Sequence, residues 1–182
     1  MKAVLISIHP QWCERIALCD KTLEVRKTSP KLESPFRCYI YQTKKKWPYK
    51  LLSKLPSFAW VETVIFGHGK VIGEFICDVI VPISVKYSDV NSHVALREFP
   101  LTCLTDKQII DYLGNGVTGY GWHISNLKIY EKPLRLDNFF HACDKPSEAN
   151  CSVCEETGKD RCKQLRHPPQ SWCYVMEVNC NG

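Results

Sequence analysis

The chain opens on a short apolar stretch. Residues 2–8 are rich in Val, Leu and Ile and alternate loosely, which predicts a buried strand. His9-Pro10 ends it, and proline suits the first turn of a helix. Trp12, Ile16 and Cys19 recur at i, i+4 and i+7, the apolar stripe of a helix over residues 10–19. Thr22-Leu23-Glu24-Val25-Arg26 then switches to period two and predicts a strand. Leu23 and Val25 are expected to face the core, with Thr22, Glu24 and Arg26 on an open face. Residues 36–43 predict a third strand. Residues 47–69, interrupted by Pro48 and Pro56, predict an insertion or a mobile loop.

Lys70 to Ile83 is a long β-rich run in which Gly73 marks a bulge or bend. Thr105 predicts the N-cap of a helix over residues 106–113, stopped by Gly114-Asn115-Gly116. Gly121 to Tyr130 and Trp172 to Val178 are the last predicted strands. Several strands, two short helices and no βαβ rhythm predict an α+β, mainly β fold: a small β-barrel with flanking helices.

Composition narrows this picture little. The 182 residues are 45% hydrophobic and 24% charged, which excludes a disordered or fibrous chain and fits one domain. No apolar run approaches the roughly 18 residues of a membrane-spanning helix, and the apolar start is too short for a signal peptide. A cytoplasmic location is the expectation.

Charge changes it more. The net charge is +5, but residues 21–54 hold ten basic residues against Glu24 and Glu33, a net +8, leaving −3 for the rest. Such asymmetry points to a polyanionic partner or to a solvated basic face. Lys44-Lys45-Lys46-Trp47 interleaves cations with a ring, a pattern suited to phosphates and a stacked base, to which Tyr41 and Trp60 can add. The alternative is an ordinary loop with Trp47 folded back.

Lys21, Glu24 and Arg26 are the sharpest candidate site. Glu24 and Arg26 share one face of a strand, and Lys21 stands at its entry. Two cations can hold a phosphate while the carboxylate accepts from a base amine or sugar hydroxyl. Lys21 and Glu24 are also the candidates for acid–base catalysis, and a purely structural Glu24–Arg26 pair is the rival. Trp122 reads as core, and His123 as a structural histidine or a proton carrier.

Of eleven cysteines, Cys13, Cys19, Cys38, Cys77 and Cys103 are scattered and read as small core residues in a reducing compartment. The others crowd the C-terminal end. Cys143-x7-Cys151-x2-Cys154-x7-Cys162 supplies four soft ligands, with Cys151-Ser152-Val153-Cys154 as the close pair of a candidate structural zinc knuckle. His141 and His167 are substitute ligands. The surrounding polar sequence builds no core of its own, so a metal would supply its folding free energy. A disordered stretch with reduced thiols is the alternative.

Several segments together resemble a known family. Cys19-Asp20-Lys21-Thr22-Leu23-Glu24-Val25-Arg26 resembles the Gly-x-Lys-x-x-Glu-x-Arg signature of the ASCH domain, a branch of the PUA-like superfamily, with Cys19 in place of the glycine. Lys70-Val71-Ile72-Gly73-Glu74-Phe75 resembles its next marker strand, and Tyr120-Gly121-Trp122-His123-Ile124 with Pro133-Leu134 its late strand and turn. Pro168-Pro169-Gln170-Ser171-Trp172-Cys173 resembles the closing strand of a phage and bacterial subgroup. The resemblance implies a PUA-like barrel over residues 1–140 and 168–182, interrupted by a Cys-rich insertion at 141–167. It also implies an RNA-associated module that binds RNA or a modified nucleoside in a groove lined by the signature residues. Some relatives hydrolyse acetylated cytidine through a threonine three positions after the lysine, and others cleave RNA. Glu24 occupies that threonine's position here, so a hydrolase acting on RNA or an acylated nucleoside is one alternative. A protein-interaction adaptor using the Cys-rich insert is another.

Overall fold

A computed structural model describes residues 1–44, 67–86, 93–94, 102–114, 118–142 and 164–178. In chain order they form β1 (Lys2–Ile8), α1 (Pro10–Ala17), β2 (Leu23–Arg26), β3 (Phe36–Gln42), β4 (Lys70–Cys77), β5 (Ile80–Lys86) and β6 (His93–Val94). Then follow α2 (Asp106–Leu113), β7 (Thr118–His123), β8 (Ser125–Leu134) and β9 (Trp172–Met176). The fold is mainly β, as the sequence predicts.

The strands make two sheets. One has the order β8-β4-β3-β1-β9, the other β2-β7-β5-β6. Among the described residues no ladder joins the two, so the expected barrel is not seen to close. β1 and β3 run parallel, with α1 and β2 in the connection between them; the other ladders are antiparallel.

β1 is apolar almost throughout because both its faces are covered. Val4, Ile6 and Ile8 join Cys38, Ile40, Phe75 and Trp122 in the main core. The alternate residues, Ala3 and Leu5, pack with Tyr39, Phe139, Leu165 and Val175 on the other face. Trp122 is fully buried and meets Phe36 edge-on at 6.0 Å and Trp172 at 5.7 Å between ring centres. That placement is the expected one. β9 pairs with β1 from Lys2↔Met176 to Ile6↔Trp172, so the chain beyond the Cys-rich stretch rejoins the first strand.

The 70–83 run divides at Asp78 and Val79 into β4 and β5, which belong to different sheets. Gly73 does mark a bulge: the β4–β8 register shifts between Val71 and Gly73. A Cβ there would stand 2.5 Å from the Lys128 carbonyl oxygen, so only glycine permits that approach. Thr105 caps α2 as predicted, through a reciprocal box: its hydroxyl accepts from the Gln108 amide at 3.2 Å, and Gln108 accepts from the Thr105 amide at 2.9 Å.

The cysteine expectation needs a correction. Cys13, Cys38 and Cys77 are buried, but Cys19 and Cys103 are exposed. Both exposed residues stand at positive φ, 60° and 55°, in connecting segments rather than on a core face. Residues 47–66 of the predicted loop and residues 143–163 of the 141–167 insertion fall outside the described residues.

Candidate functional site

The site begins at the end of α1. The Cys19 amide donates to the Ile16 carbonyl and the Asp20 amide to the Arg15 carbonyl, both at 2.9 Å. This is a Schellman cap, and Cys19 is its left-handed residue, a position where glycine is usual. Cys19 therefore replaces a glycine whose role is to end the helix. The cap turns the chain inward, and the Lys21 amide bonds back to the Arg15 carbonyl at 3.1 Å.

Lys21 is only 1% exposed. Its Nζ donates to the carbonyls of Leu23 at 2.8 Å and Thr102 at 2.7 Å, and stands 3.3 Å from Glu24 Oε2. Two of the ammonium's three N–H donors go to these carbonyls, and Glu24 is held as an ion pair rather than by a hydrogen bond. The same Nζ lies 5.6 Å from the centre of the Trp12 ring. Lys21 is thus a fixed cation.

Glu24 and Arg26 are 6% and 7% exposed, so the expected open face of β2 is instead the buried wall of a cavity. Glu24 Oε1 forms an ion pair with Arg26 Nη2 at 2.9 Å. Arg26 Nη2 also donates to the Ser7 carbonyl at 2.8 Å, and Nη1 to the Ser171 hydroxyl at 3.3 Å. Arg26 so ties β2 to β1 of the other sheet and to the lead-in of β9. Glu24 Oε2 and Arg26 Nε have no hydrogen-bond partner within the described protein. A buried polar group left so costs about 1–3 kcal/mol, which a ligand's polar atoms can recover.

Behind this group lies Cys13, whose thiol is pushed well above its ordinary range by burial and then by the Glu24 charge, with Arg26 opposing. It packs as an inert thiol.

Lys21, Glu24 and Arg26 line one side of a cavity of about 350 Å³, at the small end of the roughly 300–1,000 Å³ typical of small-ligand sites. Trp12, Gln108, Tyr112 and Ser171 complete much of its wall. The sequence reading assigned none of these four to the site. Trp12 looked like a helix stripe. Gln108 and Tyr112 lie on α2, and contacts spanning some eighty residues leave no mark in local periodicity.

Lys44 lines a neighbouring cavity instead. Lys45, Lys46, Trp47 and Trp60 fall outside the described residues, as do Cys143, Cys151, Cys154 and Cys162. Tyr41 is buried, and burial raises its phenol above the ordinary range, so it offers no exposed ring. His123 lies apart from the cavity, its Nδ1 2.6 Å from Asp78 Oδ1. His141 and His167 are exposed. Among the described residues no cluster of three or more His, Cys, Asp or Glu is arranged to hold a metal, and no helix is long and apolar enough to cross a membrane.

No family model matches the chain, and no curated protein matches it in sequence. Solved structures do. The ASCH protein of Zymomonas mobilis superposes with a TM-score of 0.56 at 18% identity, over 96% of this chain and 88% of that one. A single-residue mutant of the same protein superposes with a TM-score of 0.55 at 19% identity, over 97% of this chain and 92% of that one. The chain has the ASCH fold. The resemblance carried by the signature residues is confirmed at that level. Lys21, Glu24 and Arg26, whose pattern resembles the ASCH signature, line the cavity wall.

Proposed function

We propose that this ASCH-fold chain is a binding module for RNA or a modified nucleoside, and that one unpaired base enters the cavity over Lys21, Glu24 and Arg26. The carrying observation is Glu24: a carboxylate fixed between two cations, with one oxygen lacking a hydrogen-bond partner, in a cavity sized for a small ligand. A carboxylate there accepts from a base amine, while Trp12 and Tyr112 offer ring surface. Lys44, Lys45, Lys46 and Trp47 are the proposed outer contacts of the same ligand. Cytoplasmic RNA is the compartment-consistent partner, and the buried thiols Cys13, Cys38 and Cys77 are free.

The test is a titration of nucleosides and short single-stranded RNA followed by tryptophan fluorescence. Quenching that disappears in Trp12→Phe supports the reading. A panel with no binding, or quenching untouched by that substitution, overturns it.

A hydrolase remains the second reading, with Glu24 as the acid–base group, because its Oε2 lacks a hydrogen-bond partner. Lys21 fits a catalytic base poorly, since its buried ammonium donates to two carbonyls and is ion-paired with Glu24. Turnover of acetylated cytidine or RNA by the wild type decides between the two readings.

The zinc knuckle is also a proposal: Cys143, Cys151, Cys154 and Cys162 would hold one structural zinc, supported by their spacing and polar surroundings. Metal analysis of reduced protein purified without chelator should find one zinc per chain; none refutes it.

A further inference from the structure

Cys19 and Cys103 are exposed thiols, and both stand at positive φ, 60° and 55°. Neither ordinary structural use of a cysteine explains them. They fill no core, as Cys13, Cys38 and Cys77 do. Nor do they suit the backbone, because the left-handed conformation is costly for any residue with a Cβ and easy for glycine. Each position therefore presents a sulfur to solvent where packing and backbone geometry give no reason for one.

The fold brings these two positions together. The Cys103 thiol donates to the Asp20 carbonyl at 3.4 Å, across 83 residues of sequence. Asp20 directly follows Cys19, so their Cα atoms are about 3.8 Å apart. Beside that contact, Lys21 Nζ donates to the Thr102 carbonyl at 2.7 Å. Residues 19–21 and 102–103 are thus pinned against each other at two points. A bridge between the two sulfurs requires the Cys103 thiol to leave the Asp20 carbonyl for the side chain of the preceding residue. Disulfides span Cα atoms roughly 4.4–6.8 Å apart, and both residues lie in connecting segments, outside any strand or helix.

The other described thiols are set up differently. Burial pushes Cys13 and Cys38 well above the ordinary range, Cys77 to about 12 and Cys173 to about 11. A thiol held protonated reacts slowly with oxidants, because the thiolate is the nucleophile. Cys19 and Cys103 are open to a small oxidant in water.

We infer that Cys19 and Cys103 are a reversible oxidation site, forming under hydrogen peroxide a disulfide that staples the turn after α1 to the lead-in of α2. Peroxide supplies both oxidising equivalents. Its O–O bond breaks, one thiol becomes a sulfenic acid, and one water leaves. The second sulfur then attacks the first: the S–S bond forms, the S–O bond breaks, and the hydroxyl leaves with the second thiol's proton as another water. A dithiol reductant reverses the bridge by thiol–disulfide exchange. Leu104 adjoins Cys103, and Leu104, Gln108 and Tyr112 all line the cavity, as does Lys21. The staple therefore restrains the approach to that wall, whatever the cavity binds.

The test treats dilute, reduced full-length protein with hydrogen peroxide, alkylates the remaining thiols and maps tryptic peptides without reductant. Trypsin releases residues 16–21 and 98–107, which carry Cys19 and Cys103 as their single cysteines, so a linked pair of these peptides identifies the bridge. The pair should form at a rate independent of protein concentration and vanish with dithiothreitol. Cys19→Ser and Cys103→Ser should each abolish it. Oxidised wild type should also show several-fold slower amide exchange over residues 104–113 than the reduced protein, a change absent from both variants. Both substitutions fall at exposed positions, and melting temperatures matching reduced wild type check their folds. Absence of the linked pair in wild type, or linkage that grows with protein concentration, overturns the site. A bridge that leaves exchange over residues 104–113 unaltered overturns the staple.

Discussion

Lys21 donates to the Thr102 carbonyl at 2.7 Å across 81 residues of sequence. A second tie runs beside it, from the Cys103 thiol to the Asp20 carbonyl at 3.4 Å. Together they hold the approach to α2 against the turn after α1. The Thr105 capping box then starts α2 so that Gln108 and Tyr112 reach the cavity.

Lys21→Met should therefore damage stability before it damages binding. It leaves two carbonyls unpaired and Glu24 with one cation in place of two. Breaking a buried pair costs about 3–5 kcal/mol, to be read from urea midpoints. Amide exchange at Leu104 should accelerate more than exchange in β1. An unaltered midpoint would show that Lys21 is not an anchor.

Cys19 gives a prediction of opposite sign. A non-glycine residue pays for the left-handed conformation, while glycine pays in unfolded-state entropy. The first term is larger, so Cys19→Gly should stabilise the chain by about 0.5–1 kcal/mol. Thermal melts of the two proteins decide it, and a lower midpoint for the glycine variant would contradict the Schellman assignment.

What the sequence disclosed follows from range. β1, β2, β3, the Pro10 helix start and the Thr105 cap are written in neighbouring residues, and each stands where periodicity and capping chemistry put it. The grouping of Lys21, Glu24 and Arg26 was legible for the same reason. Their burial was not, because period two tells which residues share a face and not what covers it. The cover comes from residues 102–112 and 168–171, brought in by pairings such as Ile6↔Trp172 that no local pattern records. The meeting of Lys70 and Arg166 at the cavity lined by Lys44 was hidden likewise, since one opens a strand and the other ends the Cys-rich stretch, and nothing local joins them.

The Asp78–His123 pair predicts an acid-range effect. Burial raises the Asp78 carboxyl, but hydrogen bonding and the charge of His123 outweigh it, so its pKa lies below the ordinary value. A depressed folded-state pKa gives stability that is present above the unfolded value, about 3.9, and is lost as pH falls through the folded one. The pair is partly exposed, so its worth is roughly 0.2–1 kcal/mol. Asp78→Asn should be less stable than wild type at neutral pH, with the gap closing below about pH 4. A gap that persists in acid would assign the effect to shape rather than charge.

Glu24 is where stability and function must be separated. Its Oε1 takes Arg26 Nη2 at 2.9 Å, and its Oε2 lies 3.3 Å from Lys21 Nζ. A glutamine has one acceptor oxygen, so its amide NH₂ would have to face a cation. Glu24→Gln should accordingly cost about 3–5 kcal/mol. Arg26→Met should cost a similar amount, and the double variant less than the sum, since each change removes the other's partner. A coupling near zero would mean that the two groups do not depend on one another. Function is then read at a temperature where each variant is fully folded. If Glu24 only accepts from a bound base, Glu24→Gln should weaken binding and no turnover should be found in the wild type. If it moves a proton, turnover should fall about 10²–10⁴-fold while ligand affinity changes far less. A structural pair alone would lower stability and leave both readouts intact, so stability, affinity and turnover together give a different pattern for each role.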